Sequence, residues 1–259
     1  MPELPDVEGF RRYWARYASG RRVREVRVPN PAIVRNRSAP GLARALVGRR
    51  FRDPRRHGKW LFAPTNGPTL MLHFGMTGGL RWCGDPDGDH RHDRLILSLE
   101  GGELRYRNMR MLGGAWLARD QRELDRITGP LGPDAAELDR EGLDALLEGR
   151  RGGIKATLMK QRVVAGIGNE LSDEILWRAR IHPARRISSL ERREQSTLYG
   201  SLRKVLSESM RRGRIPSERG WLESQRGESG AACPRCRRPL RRSKIAGRTS
   251  YWCPNCQPS

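Results

Sequence analysis

Hydrophobic residues at the start of the chain recur every three or four positions, the spacing of one face of a helix. This stripe predicts an amphipathic helix whose apolar face carries Leu4, Val7, Phe10, Trp14 and Tyr17. Pro5 is tolerated in the first turn of a helix, and Gly20 can end it in a left-handed conformation.

From residue 21 onward the hydrophobic period shortens towards two, which is typical of strands with one buried face. Short strands are predicted at residues 23–28, 59–62, 69–74, 94–99 and 103–106. Glycine-rich turns at 84–88 and 101–102 separate some of them. One helix followed by many short strands predicts a sandwich of about 130 residues.

A stretch rich in proline and glycine at residues 129–133 marks a return to helical spacing. Helices are predicted at residues 141–148, 154–161, 170–179 and 189–211. Residues 166–169 form a predicted tight turn between the second and third helices, with Asn169 as a suitable N-cap. Residues 213–230 are polar and contain glycine and serine, which predicts a linker.

Four of the five cysteines form two C-x₂-C pairs, Cys233 with Cys236 and Cys253 with Cys256, separated by 16 residues. Four thiolates at this spacing can surround Zn²⁺ as a tetrahedron, and the stretch between the pairs has the length of a hairpin. Because the protein fills all four positions, the predicted ion is structural and folds about 30 residues that have no core of their own. Cys83 has no partner in this pattern.

The chain has 51 Lys and Arg residues against 29 Asp and Glu residues, a formal net charge of +22 over 259 residues. This charge favours a polyanionic partner, and nucleic acid fits the cations between the two cysteine pairs. A zinc-ribbon protein that binds RNA or the ribosome is an alternative that explains both features. No apolar run approaches the roughly 20 residues of a membrane span, and the polar N-terminus does not have the pattern of a signal peptide. We therefore expect a cytoplasmic protein that reaches the chromosome.

The first residues of the chain carry candidate chemistry. Removal of Met1 would leave Pro2 as a secondary amine with a pKa of roughly 8, which is a usable nucleophile at neutral pH. Such an amine can attack a sugar aldehyde carbon to form an iminium, and Glu3 stands beside it in sequence as a proton carrier. Most N-termini are frayed and inert, so this interpretation depends on the rest of the chain.

The chain contains four separated motifs: residues 2–8 (Pro-Glu-Leu-Pro-Asp-Val-Glu), 73–78 (His-Phe-Gly-Met-Thr-Gly), 163–170 (Val-Val-Ala-Gly-Ile-Gly-Asn-Glu) and the terminal cysteines. Their order and spacing resemble those of the formamidopyrimidine-DNA glycosylase and endonuclease VIII family of base-excision repair enzymes. The resemblance covers essentially the whole chain and implies an α+β multidomain fold. Its parts would be an N-terminal helix with a β-sandwich over 1–130, a helix-two-turn-helix domain over 131–222, and a four-cysteine zinc-finger β-hairpin over 228–259.

The resemblance also implies a monomeric, bifunctional DNA glycosylase and AP lyase that acts on damaged double-stranded DNA and holds one structural zinc ion. The Pro2 amine would attack C1′ of the damaged nucleotide, Glu3 would move protons, and Lys59 would assist. The iminium would then promote β- and δ-elimination, which cut the strand. Met76 would fill the space left by the extruded nucleotide. The positions that match DNA contacts in the family are Met76, His92, Arg110, Lys155, Asn169 and Arg248.

Two stretches depart from the family pattern. Relatives that excise oxidised purines carry Asp-Pro-Arg-Arg-Phe-Gly where residues 108–113 read Asn-Met-Arg-Met-Leu-Gly. Met111 stands where an arginine would read the unpaired base and Leu112 where a phenylalanine would wedge, so we expect weak dependence on the opposite base. The region 213–230 is too short for the loop that covers an extruded 8-oxoguanine in those relatives. A damage-binding protein with little base excision is therefore the alternative within the family, and the preferred lesion stays open.

Overall fold

The computed structural model describes residues 1–85 and 88–258, so the middle of the predicted turn at 84–88 and Ser259 lie outside the described residues. The chain divides into two compact units. The first comprises Met1–Pro2 and Asp6–Pro130, and the second comprises Glu3–Pro5 and Leu131–Ser259. The domain limits 1–130, 131–222 and 228–259 stay predictions.

The first unit is built on two four-stranded antiparallel sheets. Its strands are β1 (Val23–Arg27), β2 (Arg55–His57), β3 (Trp60–Pro64), β4 (Thr69–His73), β5 (Gly78–Cys83), β6 (Asp93–Leu99), β7 (Gly102–Asn108) and β8 (Gly114–Ala118). One sheet has the order β1-β6-β7-β5 and the other the order β2-β3-β4-β8. Its helices are most of α1 (Leu4–Ala18), with α2 (Ala39–Leu46) and α3 (Gln121–Thr128).

One apolar core joins both sheets to the buried stripe of α1. Trp14 of the helix packs edge-on against Phe51, with ring centroids 5.0 Å apart. The sheets contribute alternate strand residues to the same cluster, among them Leu61, Leu72, Leu95, Leu97 and Leu104. Each such side chain contributes roughly 1.5–3 kcal/mol by leaving water, which is why both hydrophobic periods are visible in the sequence.

The second unit contains α4 (Arg140–Leu147), α5 (Ile154–Leu158), α6 (Asn169–Ala179), α7 (Arg192–Arg212), β9 (Arg241–Ile245) and β10 (Arg248–Trp252). α6 is buried along almost its whole length, and β9 and β10 pair as an antiparallel hairpin between the two cysteine pairs. Helices, antiparallel sheets and a terminal cysteine hairpin confirm the predicted α+β fold class. No helix in the described part of the chain is long and apolar enough to cross a membrane.

Several elements differ from the sequence-based predictions. β5 and β8 were missed because each begins at a glycine, which weakens the strand pattern. The prediction that 213–230 is a linker is wrong for its middle, where Trp221 and Leu222 are buried. The backbone N–H of Leu222 donates to Glu174 Oε2 (2.8 Å), which fixes this segment to α6.

Candidate functional site

The carboxylate of Glu3 caps the N-terminus of helix α6. Its oxygens accept hydrogen bonds from the backbone N–H groups of Gly168 (2.7 Å), Glu170 (2.8 Å) and Leu171 (3.2 Å). The first N–H groups of a helix have no partner inside it, and the helix dipole favours a negative charge at that end. Glu3 is 0% exposed, so the third residue of the chain is fixed by three bonds instead of fraying.

The predicted N-cap role of Asn169 is wrong. Gly168 occupies the cap position, and Asn169 is the first residue of the helix. The capping oxygens come from Glu3, which lies 165 residues away from Gly168 in the chain. A local sequence pattern cannot show such a cap.

A glycine lets the opening segment lie close to the loop that precedes α6. Gly166 has a φ of +107°, and a Cβ at this position would lie 2.4 Å from Leu4 Cδ1. The Gly166 carbonyl accepts a hydrogen bond from Leu4 N (3.1 Å), and its N–H donates to Gln161 Oε1 (2.9 Å). These contacts hold the residue next to Glu3.

Lys155 is completely buried, with an exposed fraction of 0%. Its Nζ donates to Asn169 Oδ1 (2.8 Å), to Asp173 Oδ1 (2.5 Å) and to Ser250 Oγ. Burial lowers the pKa of Lys155, and the charge of Asp173 opposes that shift. Because three protein acceptors engage the ammonium group, Lys155 orients the Asn169 side chain in this arrangement.

The cysteine hairpin is bound to α6 through the same buried carboxylate. Asp173 Oδ2 accepts from the backbone N–H of Tyr251 (3.1 Å) and from Arg226 Nη2 (2.8 Å). Asn169 Nδ2 donates to the carbonyl of Thr249 (2.9 Å). Arg248, the first residue of β10, is exposed, so the hairpin presents a cation one residue away from the carbonyl that Asn169 binds.

The four cysteines of the hairpin form one metal site. Their sulfur atoms lie within 4.8 Å of one another, with Cys233 and Cys256 3.8 Å apart and Cys236 and Cys253 3.5 Å apart. Sulfurs at Zn–S distances of about 2.3 Å form a tetrahedron with edges of about 3.8 Å. The donor set and spacing therefore fit a single Zn²⁺ ion, and the prediction of a structural zinc site with four cysteine ligands is confirmed.

In the first unit, Lys59 lies in the turn between β2 and β3, where Gly58 has a φ of +55°. β3 brings Trp60 opposite His73 of β4. Burial, and then the nearby charge of Lys59, lower the pKa of His73 to about 4. His73 is therefore neutral at physiological pH, and its Nδ1 accepts from Gly75 N (3.3 Å). The sequence places His73 in a motif but does not indicate that the side chain is partly buried, neutral and bonded to the Gly75 N–H.

The loop after β7 is fixed by side-chain hydrogen bonds. Asn108 Oδ1 accepts from Met111 N (2.9 Å) and from Thr77 Oγ1 (3.2 Å). Thr77 Oγ1 in turn accepts from the backbone N–H of Arg110 (3.0 Å). Arg35 Nη2 donates to the Met111 carbonyl (2.7 Å). The protein's own hydrogen bonds thus order the loop.

This fixed loop and the turn between β4 and β5 together expose apolar side chains and one cation. Exposed fractions are 39% for Met76, 53% for Met109 and 57% for Leu112, and Arg110 Nη1 lies 3.4 Å from Met76 Sδ. Met111, in contrast, packs partly buried against the core of the first unit with a φ of +52°. The expected weak dependence on the opposite base rests on the lack of an arginine at position 111 and does not take account of the exposed Arg110.

His92 lies in the segment before β6, which a buried ion cluster anchors. Asp93 accepts from the backbone N–H of His90 (2.9 Å), from Arg105 Nη1 (3.1 Å) and from Arg107 Nε (2.6 Å). Arg105 and Asp93 are both buried. Slight desolvation, and then the surrounding arginines, lower the pKa of His92. The predicted DNA contact at His92 therefore sits on an ordered segment.

Comparison with known protein families gives three consecutive matches. Residues 1–115 match the family described as the formamidopyrimidine-DNA glycosylase N-terminal domain. Residues 131–219 match the formamidopyrimidine-DNA glycosylase H2TH domain, and residues 230–258 match the zinc finger found in FPG and IleRS. Together these matches span most of the chain.

Individual relatives agree with these matches. The formamidopyrimidine-DNA glycosylase of Salinispora arenicola is 35% identical over 280 residues, covering 100% of this chain and 96% of the relative. That of Symbiobacterium thermophilum is 37% identical over 273 residues, covering 100% and 90%. Among solved structures, the Lactococcus lactis Fpg bound to DNA containing N7-benzyl-Fapy-dG has a TM-score of 0.88 at 29% identity, with both chains fully covered. The same enzyme bound to DNA containing an AP site has a TM-score of 0.89 at 28% identity.

Replacing Gly166 with alanine is expected to destabilise the second unit. The new Cβ clashes with Leu4 and strains a backbone with positive φ, which together cost about 2–4 kcal/mol. Gly220→Ala is the control, since Gly220 has a φ of +93° and no atom within 4 Å of an added Cβ. Urea unfolding gives the loss in free energy of unfolding for each variant. The loss in Gly220→Ala measures backbone strain alone, and the additional loss in Gly166→Ala measures the clash with Leu4. Equal losses in the two variants would show that the Leu4 contact does not matter.

The stability of the first unit is expected to fall as the pH drops from 6.5 towards 4. Unfolded His73 binds a proton near pH 6.5, whereas folded His73 does so only near pH 4. The unfolded state therefore holds more protons in this window, which costs about 3 kcal/mol over the full range. His73→Gln cannot titrate, so the wild-type protein should lose stability relative to the variant as the pH falls. A constant difference in free energy of unfolding from pH 7 to pH 4 would contradict the lowered pKa.

Proposed function

The chain belongs to the formamidopyrimidine-DNA glycosylase family, and from this premise we propose that its base excision proceeds through the secondary amine of Pro2. The family consists of base-excision repair enzymes with DNA glycosylase and AP lyase activity, so the chain is an enzyme of this kind. The proposed substrate is double-stranded DNA carrying an oxidised or ring-opened base. The observation that carries the proposal is the buried carboxylate of Glu3. Glu3 directly follows Pro2, and backbone N–H groups at the start of α6 hold its carboxylate in place.

The proposed reaction begins once Met1 has been removed. The lone pair of the Pro2 nitrogen attacks C1′, the bond from C1′ to the base breaks, and the departing base takes a proton. The attached nitrogen loses its proton, and opening of the bond from C1′ to O4′ then converts the adduct into an iminium while O4′ takes a proton. Glu3 moves these protons, because a carboxylate placed beside the reacting atoms can accept and return them.

The iminium then makes strand cleavage possible. It draws electrons from C2′, so a C2′ proton is lost and the 3′ phosphate leaves in β-elimination. A second loss of a proton releases the 5′ phosphate in δ-elimination, and water hydrolyses the remaining iminium to free Pro2. Lys59 assists these steps in the proposal. Neutral His73 near Lys59 adds no competing positive charge at pH 7.

The remaining predicted contacts are proposed to hold the DNA. Asn169 and Arg248 would bind phosphates beside the start of α6 through their side-chain N–H groups. Lys155 would act by orienting Asn169, because its own ammonium group is engaged by protein. His92, which lies in the segment that Asp93 anchors, would contact the sugar-phosphate backbone of the DNA. The net charge of +22 supports binding to a polyanion whose affinity falls with salt.

The loop after β7 and the turn between β4 and β5 are proposed to fill and read the gap left by the extruded nucleotide. Met76 and Leu112 are apolar side chains that can enter a base stack. Arg110 is the cation beside them, and a guanidinium can donate two hydrogen bonds to a base edge. We therefore propose that Arg110 contacts the unpaired base, whereas the sequence alone suggested a backbone contact.

A damage-binding protein with little base excision is the second candidate. The changed loop at residues 108–113 favours it. This candidate predicts tight binding to an abasic site without a covalent intermediate, so it differs from the proposed enzyme in one measurable property.

Replacing Pro2 with glycine is expected to abolish the covalent adduct that borohydride traps on abasic-site DNA. Only an iminium is reduced to a stable bond, and glycine replaces the more nucleophilic, ring-constrained secondary amine of proline with a primary amine. Pro29→Gly is the control, since Pro29 is a proline elsewhere in the first unit. The measurement is a gel shift of labelled duplex after reduction. Undiminished trapping in Pro2→Gly would contradict a requirement for the proline secondary amine, and tight binding by the wild-type protein without trapping would support the damage-binding candidate.

Replacing Arg110 with alanine is expected to make the rates of excision nearly equal, whichever of the four bases stands opposite the lesion. A paired guanidinium contact discriminates between bases by about 1–3 kcal/mol, or roughly 5- to 150-fold. Arg81→Ala is the control, because Arg81 is an exposed arginine of β5. Single-turnover rates with each opposite base test the point. Identical four-base ratios in wild-type protein and Arg110→Ala would show that this side chain does not read the base.

A further inference from the structure

A tryptophan outside the cysteine hairpin donates a hydrogen bond to a metal ligand. The indole Nε1 of Trp177 lies 3.4 Å from Cys233 Sγ. Trp177 is 4% exposed and Cys233 is 0% exposed, so water does not compete for either group. Trp177 belongs to the last turns of α6, whereas Cys233 belongs to the first C-x₂-C pair.

The indole is held in this orientation by its neighbours. The Arg235 guanidinium stacks over the Trp177 ring at 4.5 Å from the centroid, and Arg235 Nη1 donates to the Trp177 carbonyl (3.2 Å). The ring packs in a buried cluster with Leu222 and Tyr251. A side chain fixed on this many sides loses little freedom when it forms the bond to sulfur.

A hydrogen bond to this sulfur matters because of charge. Four thiolates around one Zn²⁺ carry a net charge of −2, and burial makes that charge costly unless donors disperse it. Within the hairpin, the backbone N–H of Cys256 donates to Cys253 Sγ (3.4 Å). Trp177 supplies a comparable donor to Cys233 from the neighbouring helix.

We propose that the indole N–H of Trp177 hydrogen-bonds the metal-bound thiolate of Cys233, strengthens zinc binding and joins the metal site to α6. The same helix carries Asp173, which holds the hairpin strand, and its first N–H groups bind Glu3. Binding free energy of a structural metal is also folding free energy. Zinc therefore stabilises the helix that fixes Glu3. This proposal is independent of the reaction assigned to Pro2.

The test compares zinc affinity in Trp177→Phe and Trp221→Phe. The first variant keeps an aromatic ring and loses the N–H donor. Trp221 is the matched control because it is equally buried, at 4%, and an arginine also stacks on its ring. Loss of an outer hydrogen bond to a metal ligand typically weakens binding by about 10- to 100-fold. Competition with a chromophoric chelator should show such a rise in the Kd of Trp177→Phe and a much smaller change in Trp221→Phe. Equal changes, or none, would overturn the proposal.

A second measurement uses the wild-type protein and does not depend on a variant folding. The protein is loaded with ¹¹³Cd²⁺ in place of zinc and labelled with ¹⁵N in its indole groups. A coupling across N–H···S to the metal should appear on one indole proton. Detection of this coupling supports the bond. Its absence from every indole signal of the cadmium-loaded protein would overturn it.

Discussion

The first residues of the chain are held in place by three hydrogen bonds between the Glu3 carboxylate and the N-terminus of α6. An N-terminal segment ordinarily gains nothing from order, because it loses conformational entropy and buries little. Here a buried carboxylate gains three donors, and the N–H groups of the first helical turn gain the acceptor that the helix itself does not provide. This mutual requirement makes the first residues of the chain a fixed part of the structure.

Helix α6 serves several groups at once. Its first turn binds Glu3, its middle binds the cysteine hairpin through Asp173, and its last turns contact Cys233 through Trp177. The helix is consequently buried nearly all round, which leaves little tolerance for substitution. Lys155 adds a cation to the same network and directs the amide of Asn169. Positioning of the Glu3 carboxylate, of the Asn169 side-chain amide and of the metal hairpin therefore rests on one rigid element.

Sequence patterns correctly predicted those features that depend on residues close together in the chain. The spacing of Leu4 and Trp14 indicated α1, and the cysteine spacing indicated the zinc site, since in both cases the interacting residues are close in sequence. Sequence patterns do not reveal contacts between residues that are distant in the chain. For this reason Asn169 was predicted to cap α6, whereas Glu3 provides the cap. Orientation within a loop was also hidden. Met111 and Arg110 are neighbours, but a positive φ and the bond from Arg35 turn one inward and leave the other exposed.

The most direct test of the central claim is amide hydrogen exchange at Gly168, Glu170 and Leu171 in the wild-type protein and in Glu3→Ala. Loss of a capping carboxylate costs about 1–2 kcal/mol, so these three amides should exchange roughly 5- to 30-fold faster in the variant. Amides in the middle of α7, which do not contact Glu3, serve as the internal reference. Unchanged exchange at the three amides would mean that Glu3 does not hold the start of α6 and that these bonds do not order the N-terminal segment.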